Sequence, residues 1–252
     1  MRYFLANWKM HTTVGQAVAW VEAVQEALRQ RVREGRDMAV PIVCPPFVSL
    51  VPVRAVMDRE VLRLGAQNCH WEPEGPHTGE VSPTMLKGIV DYVMVGHSER
   101  RAAGETDEQI ARKVGAVAGA GMVPILFVGE DEPGDDAGRL TEQRLRRGLS
   151  EVDPGRQEVL VIYEPAWAIG AEQAADADYV RKQVERLKQL LRDLGASGPE
   201  VVYGGTVNDD NIDQFAALEV LDGVGATRAS LDTERFLQMI DRISPGTGGA
   251  LW

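Results

Sequence analysis

Two cysteines in 252 residues leave no disulfide framework to look for. Cys44 and Cys69 form no CxxC, and no cysteine–histidine grouping has zinc spacing, so the expectation is free thiols in a cytoplasmic protein with no metal. Long apolar runs are missing as well. No window offers the roughly 20 apolar residues of a membrane helix, and the opening MRYFLANWKM lacks the apolar stretch of a secretory signal. Positive charge is in deficit: 27 Lys and Arg face 38 Asp and Glu, a formal net charge of -11. That balance argues against nucleic acid or an anionic membrane as partner. A small anionic ligand stays open, because it needs only one or two cations.

What is present is a 44% hydrophobic chain, enough for a sizeable core, in which short apolar runs alternate with longer amphipathic ones. Strands are expected at 3–9, 39–44, 62–67, 91–97, 122–128, 158–164, 200–205 and 220–226. Helical patterns fill the gaps. Over 176–194 the residues Val180, Val184, Leu187, Leu191 and Leu194 recur at three- and four-residue intervals, with Asp176 or Asp178 to cap the start and Gly195 to end it. Another helix starts near Thr106, with Ile110, Val114 and Val117 on one face. Strands spaced by helices pair in parallel through right-handed crossovers. Periodicity alone fits an open doubly wound sheet too, but eight units in this length favour a single (β/α)8 barrel over residues 1–243. The stretch 244–252 is expected to be a flexible tail. Loops at 68–82 and 130–138 carry turn-forming residues, and Trp71 in the first of them reads as exposed.

In such a barrel the C-terminal strand ends share one face, where chemistry is placed. Those ends carry Asn7 and Lys9, then His97 followed by Ser98, Glu99, Arg100 and Arg101, then Glu164, then Gly204 and Gly205, and finally Thr227 and Arg228. Taken singly, each has a bland reading: a strand end in water, a satisfied strand-end histidine, a solvated lysine, a charged helix start, a glycine turn. A shared rim weakens those readings jointly. The glycine pair also suits close approach of backbone N–H groups to a phosphate.

These residues stand in motifs. NWKM (7–10), TGEVS (78–82), GHSERR (96–101), GETDE (104–108), VGE (128–130), YEPAWAIG (163–170) and YGGTV (203–207) follow in order, about one per βα unit. Over residues 1–243 the chain resembles the triosephosphate isomerases. The resemblance implies an aldose–ketose isomerisation of dihydroxyacetone phosphate and D-glyceraldehyde 3-phosphate through a cis-enediolate. Glu164 is then the base that moves the proton, His97 a neutral imidazole that polarises the carbonyl, and Lys9 the cation on the developing oxyanion. Asn7 positions the oxygens, and Glu99 holds Lys9. Gly170, Gly204, Gly205, Thr206, Thr227 and Arg228 bind substrate or its phosphate. A closing lid spans Pro165, Ala166, Trp167, Ala168, Ile169, Gly170 and Ala171, with Ala168 to Gly170 as its tip and Glu130 holding Trp167. Thr78 marks a loop that reaches a second subunit, so a homodimer is implied, and no cofactor is.

The pattern is broken mainly in strand eight. DGVGATRASL (222–231) has Gly225 where the family carries a leucine over the catalytic glutamate, and Thr227-Arg228 where it has two glycines. Phe127 replaces a common cysteine, Ala171-Glu172 replaces Thr-Gly, and Thr206 replaces serine but keeps the hydroxyl. Arg228, HWEPEG (70–75) and ADADYV (175–180) also look like paralogues that isomerise four-carbon erythrulose phosphates. That substrate and a catalytically impaired binding paralogue are the alternatives.

Overall fold

Eight short parallel strands, each entirely buried or nearly so, account for the alternation of the sequence. In the computed structural model, which describes residues 2–134, 137–171 and 174–244, they run β1 (Tyr3–Asn7), β2 (Val40–Cys44), β3 (Arg63–Ala66), β4 (Tyr92–Val95), β5 (Val123–Val128), β6 (Leu160–Tyr163), β7 (Val201–Tyr203) and β8 (Gly223–Ala226). They pair in sequence order, and β8 closes back on β1. This is a (β/α)8 barrel. The interleaved helices are α1 (Val14–Arg33), α2 (Phe47–Val56), α3 (Pro83–Leu86), α4 (Ser98–Ala102), α5 (Asp107–Gly119), α6 (Ala137–Gly148), α7 (Ala177–Asp193), α8 (Ile212–Ala216) and α9 (Thr233–Ile243).

Local signals set the helix ends. Thr13 and Thr106 form reciprocal capping boxes with Gln16 and Gln109 at the starts of α1 and α5. Each box satisfies amide hydrogens that a helix start leaves without partners. Asp176 accepts from the Tyr179 amide and starts α7. Gly195 ends that helix at φ 101°, a conformation that costs glycine little. The first strand is shorter than the apolar pattern suggested. It stops at Asn7 rather than residue 9, because Lys9 takes φ 49° and leaves the sheet. Trp71 is half-buried, not exposed: His70 stacks on one side of it at 4.1 Å, and the Arg112 guanidinium lies 4.7 Å from its ring centre.

The core has two parts. One lies between sheet and helices, where Phe4, Trp8, Trp20 and Phe236 form an edge-to-face chain with centroid spacings of 4.8 to 5.2 Å. The other fills the barrel with alternate strand residues, among them Leu5, Ile42, Met94, Ile125 and Ile162. Following the register round the barrel stacks the inward positions in tiers of four from alternate strands. The lowest tier is Tyr3, Arg63, Val123 and Glu200. The upper two are Cys44, Met94, Ile162 and Gly225, then Asn7, Gln67, Phe127 and Gly204 at the C-terminal rim.

Candidate active site

The turn after β1 is pinned before it is charged. Trp8 is fully buried, and its backbone N–H donates to the Cys44 carbonyl at 3.1 Å. The Lys9 N–H donates to Asn7 Oδ1 at 3.0 Å. Gln67 Nε2 donates to the carbonyls of Lys9 and Cys44, both at 2.8 Å. These bonds hold Lys9 in the left-handed region, which a long side chain otherwise avoids. Its ammonium then reaches Glu99 Oε1 at 2.6 Å. Burial alone would raise the Glu99 pKa, but the hydrogen bond and charge of Lys9 outweigh it and hold the carboxyl below its ordinary value.

His97 follows Gly96 at the end of β4 and caps α4. Its Nδ1 accepts the Glu99 N–H at 3.2 Å, which leaves that nitrogen without a proton and puts the ring hydrogen of the neutral imidazole on Nε2. Nε2 lies 3.0 Å from Glu164 Oε1, and the Ser98 N–H donates to Glu164 Oε2 at 2.8 Å. Both side chains are buried, with Glu164 4% and His97 6% exposed. Lysine, imidazole and carboxylate from β1, β4 and β6 are therefore joined through Glu99 at one rim. Burial gives each polar contact more weight than it would have in water.

The segment after Glu164 is tied to the body. Pro165 leads into one 3-10 turn, Ala166–Ala168. The Ala166 N–H donates to the Glu130 carbonyl at 2.9 Å, and Trp167 Nε1 donates to Glu130 Oε1 at 3.0 Å. The same carboxylate takes the hydroxyls of Tyr163, Tyr179 and Thr141, each at 2.9 Å. Burial and then Glu130 push the Tyr163 phenol far up, and burial with the Glu130 bond pushes Tyr179 up to about 12. Both are therefore donors throughout the working range. Ala168, at the start of the expected tip, is fully buried, and Thr206 Oγ1 donates to its carbonyl at 2.6 Å. Ile169 and Ala171 are half-buried, and Gly170, at φ 71°, is the exposed residue. Glu172 lies outside the described residues.

Across the mouth, β7 and β8 present almost no side chains. A Cβ on Gly204 would fall 2.4 Å from Ile162 Cγ2, and one on Gly205 would fall 2.1 Å from the Tyr203 hydroxyl, so sterics demand both glycines. Gly225 is different. A Cβ there would make ordinary van der Waals contacts, 3.6 Å from the Leu5 carbonyl oxygen and 3.7 Å from Gly204 Cα, so no clash demands glycine at this position. Thr227 is half-buried, and its carbonyl accepts from Ser230 Oγ at 2.7 Å. Arg228 is exposed in helical conformation, and no ion pair to it is found among the described residues.

A sequence profile of the triosephosphate isomerases fits residues 2–243. The chain belongs to the triosephosphate isomerase family. A protein of Dehalococcoides mccartyi named triosephosphate isomerase is 36% identical over 241 residues, covering 92% of this chain and 93% of its own. One of the same name from Trichodesmium erythraeum is 38% identical, covering 93% and 96%. Another from Carboxydothermus hydrogenoformans is 39% identical, covering 94% and 97%. For a member of this family, sequence reading missed three positions. Gln67 fixes the Lys9 backbone, Tyr179 joins Trp167 on Glu130, and Phe127 packs against His97. The first could have been suspected from a polar residue closing an apolar strand; the other two depend on packing that has no local signature.

Proposed function

We propose that the chain interconverts dihydroxyacetone phosphate and D-glyceraldehyde 3-phosphate. The observation that carries this is the Lys9–Glu99–His97–Glu164 chain at one rim. In this reading Glu164 leaves Ser98 and His97, removes a proton from the carbon beside the carbonyl and returns it to the neighbouring carbon. His97, with its hydrogen on Nε2, donates to the carbonyl oxygen as charge develops, and Lys9 stabilises that charge. Asn7 orients the oxygens, and Glu99 keeps the ammonium directed. The residues 165–171 close over the enediolate and exclude water, which strengthens each electrostatic contact. Backbone groups at Gly170, Gly204 and Gly205, with Thr206, Thr227 and Arg228, hold the phosphate. The proton transfer needs neither metal nor organic cofactor.

A homodimer and a cytoplasmic location belong to the same reading. Thr78 is exposed on the loop after β3. Exposed apolar side chains follow the neighbouring strand ends: Met10 after β1, Phe47, Val48 and Val51 on α2, and Met85 on α3. Such a run in adjacent sectors is what a second copy would cover. Nucleic acid and membrane surfaces do not suit a chain of net charge -11.

The test is a comparison of initial rates with three-carbon and four-carbon ketose phosphates, with Glu164→Gln as control. Turnover of the triose that is lost in the control supports the proposal. A preference of about tenfold or more for the four-carbon sugar, some 1.4 kcal/mol in transition-state binding, overturns it. So does absence of turnover by folded protein.

A further inference from the structure

We propose that Phe127 is a positioning residue, whose ring keeps Nε2–H of His97 aimed into the site when Glu164 withdraws from it. The inference rests on the isomerase reading above. In the structure the imidazole has two polar tethers, the Glu99 N–H at Nδ1 and Glu164 at Nε2. Catalysis must break the second, because the carboxylate has to reach carbon and the Nε2 hydrogen has to turn to oxygen. One bond at 3.2 Å then remains. A histidine has no sharp preference about its second side-chain torsion, so a single hydrogen bond does not stop the ring from pivoting.

Packing supplies the missing restraint. Phe127 is the apolar member of the rim tier otherwise made of Asn7, Gln67 and Gly204. It is 3% exposed, and its ring centroid lies 5.1 Å from that of His97 with the planes inclined at 57°. Neither Gly204 nor Gly225 offers a side chain from the β7–β8 side to do the same.

The experiment removes the second tether deliberately. With ¹⁵N-labelled histidine, the ring nitrogens of His97 are read in Glu164→Ala and in Glu164→Ala/Phe127→Ala, assigned by the signal lost in His97→Asn. The expected result is one Nε2-protonated tautomer in the first protein and a mixed or exchange-broadened signal in the second. In the Glu164 background, kcat of Phe127→Ala should fall about tenfold with KM held within about twofold, as for loss of orientation rather than binding. Phe127→Leu should recover most of that loss. An unchanged tautomer signal in the double variant, or an unchanged kcat in Phe127→Ala, overturns the proposal. If alanine prevents folding, the Glu164→Ala/Phe127→Leu spectrum decides, and the single tautomer is expected there. Failure of the native protein to turn over triose phosphate would remove the proposed function, whereas the nitrogen spectra would still report whether Phe127 fixes the ring.

Discussion

The two mouths of the barrel hold similar groups and bind them in opposite ways. At the N-terminal mouth Glu200 accepts from the Arg2 guanidinium and from the Tyr3 hydroxyl, the latter at 2.7 Å. Asp91 is paired with Arg59, and Asp222 with Lys188 at 2.7 Å. At the C-terminal mouth Glu164 touches an imidazole and a backbone amide, and no lysine or arginine pairs with it among the described residues. A carboxylate opposite a fixed cation has little reason to leave. One held by an imidazole and a backbone amide leaves at lower cost. The contrast separates a stabilising end from a reacting end, as the placement of chemistry in barrels leads one to expect.

The contrast breaks most sharply under matched substitutions. Glu164→Gln is expected to lower kcat by about 10²–10⁴ with little change in thermal stability. Glu200→Gln should leave kcat unaltered and cost about 1 kcal/mol of stability, a modest figure because Arg2 is largely exposed. Steady-state kinetics and denaturant titration on both variants check this, and similar profiles would abolish the distinction.

Within the C-terminal mouth, Arg228 is a cation with no ion-pair partner among the described residues, unlike the paired arginines of the other end. Arg228→Gly should raise KM for triose phosphate and Ki for inorganic phosphate about tenfold, the size of one charge-assisted hydrogen bond. Unchanged inhibition by phosphate would show that the side chain points away from the ligand.

A smaller effect concerns backbone strain, which is confined to the β1 loop. Lys9 and Thr12 are the two non-glycine residues at positive φ among those described, at 49° and 74°. Lys9 has a task there. Thr12 is β-branched, for which this conformation is costly, and its hydroxyl is buried with no hydrogen-bond partner among the described residues. Thr12→Gly is expected to raise stability by about 0.5–1 kcal/mol without altering kcat, whereas Lys9→Gly should abolish most activity. Thermal melting and kinetics on the pair decide it.

Much of this was legible in the chain itself because it depends on local pattern. Each expected strand contains an observed one, and Thr106, Asp176 and Gly195 mark helix ends where capping chemistry puts them. Glu164, His97 and Lys9 could be placed on one rim because each follows an apolar run that had to be a strand. The remainder needed contacts between distant segments. Gln67 is a polar residue closing an apolar run, but that it braces Lys9 depends on a segment 58 residues away. Glu130 was paired with Trp167 from sequence, but the hydroxyls of Tyr163, Tyr179 and Thr141 come from three other elements. The depth of Ala168 follows from Thr206, 38 residues away.

Acid offers the finest discrimination between the mouths, because it should move them in opposite directions. His70, on the loop after β3, stacks on His77 at 4.0 Å, and its Nδ1 accepts the Glu72 N–H. Burial first, then the neighbouring His77, lower its pKa from the ordinary 6.5; Lys113 acts the same way, and Glu80 and Glu72 oppose it. The unfolded chain then binds the proton more readily than the folded one, so stability falls as pH drops below about 6.5. Glu158, an exposed residue at the N-terminal end, is shifted up from 4.5 by partial desolvation of its carboxyl and then by Glu200, with Arg2 opposing. Here the folded chain binds the proton more readily, so stability rises as pH falls through the window just above 4.5. Melting temperature against pH should therefore decline first and then flatten. His70→Gln should remove the decline and Glu158→Gln the flattening; if either leaves the curve unchanged, that mouth does not titrate as its surroundings dictate.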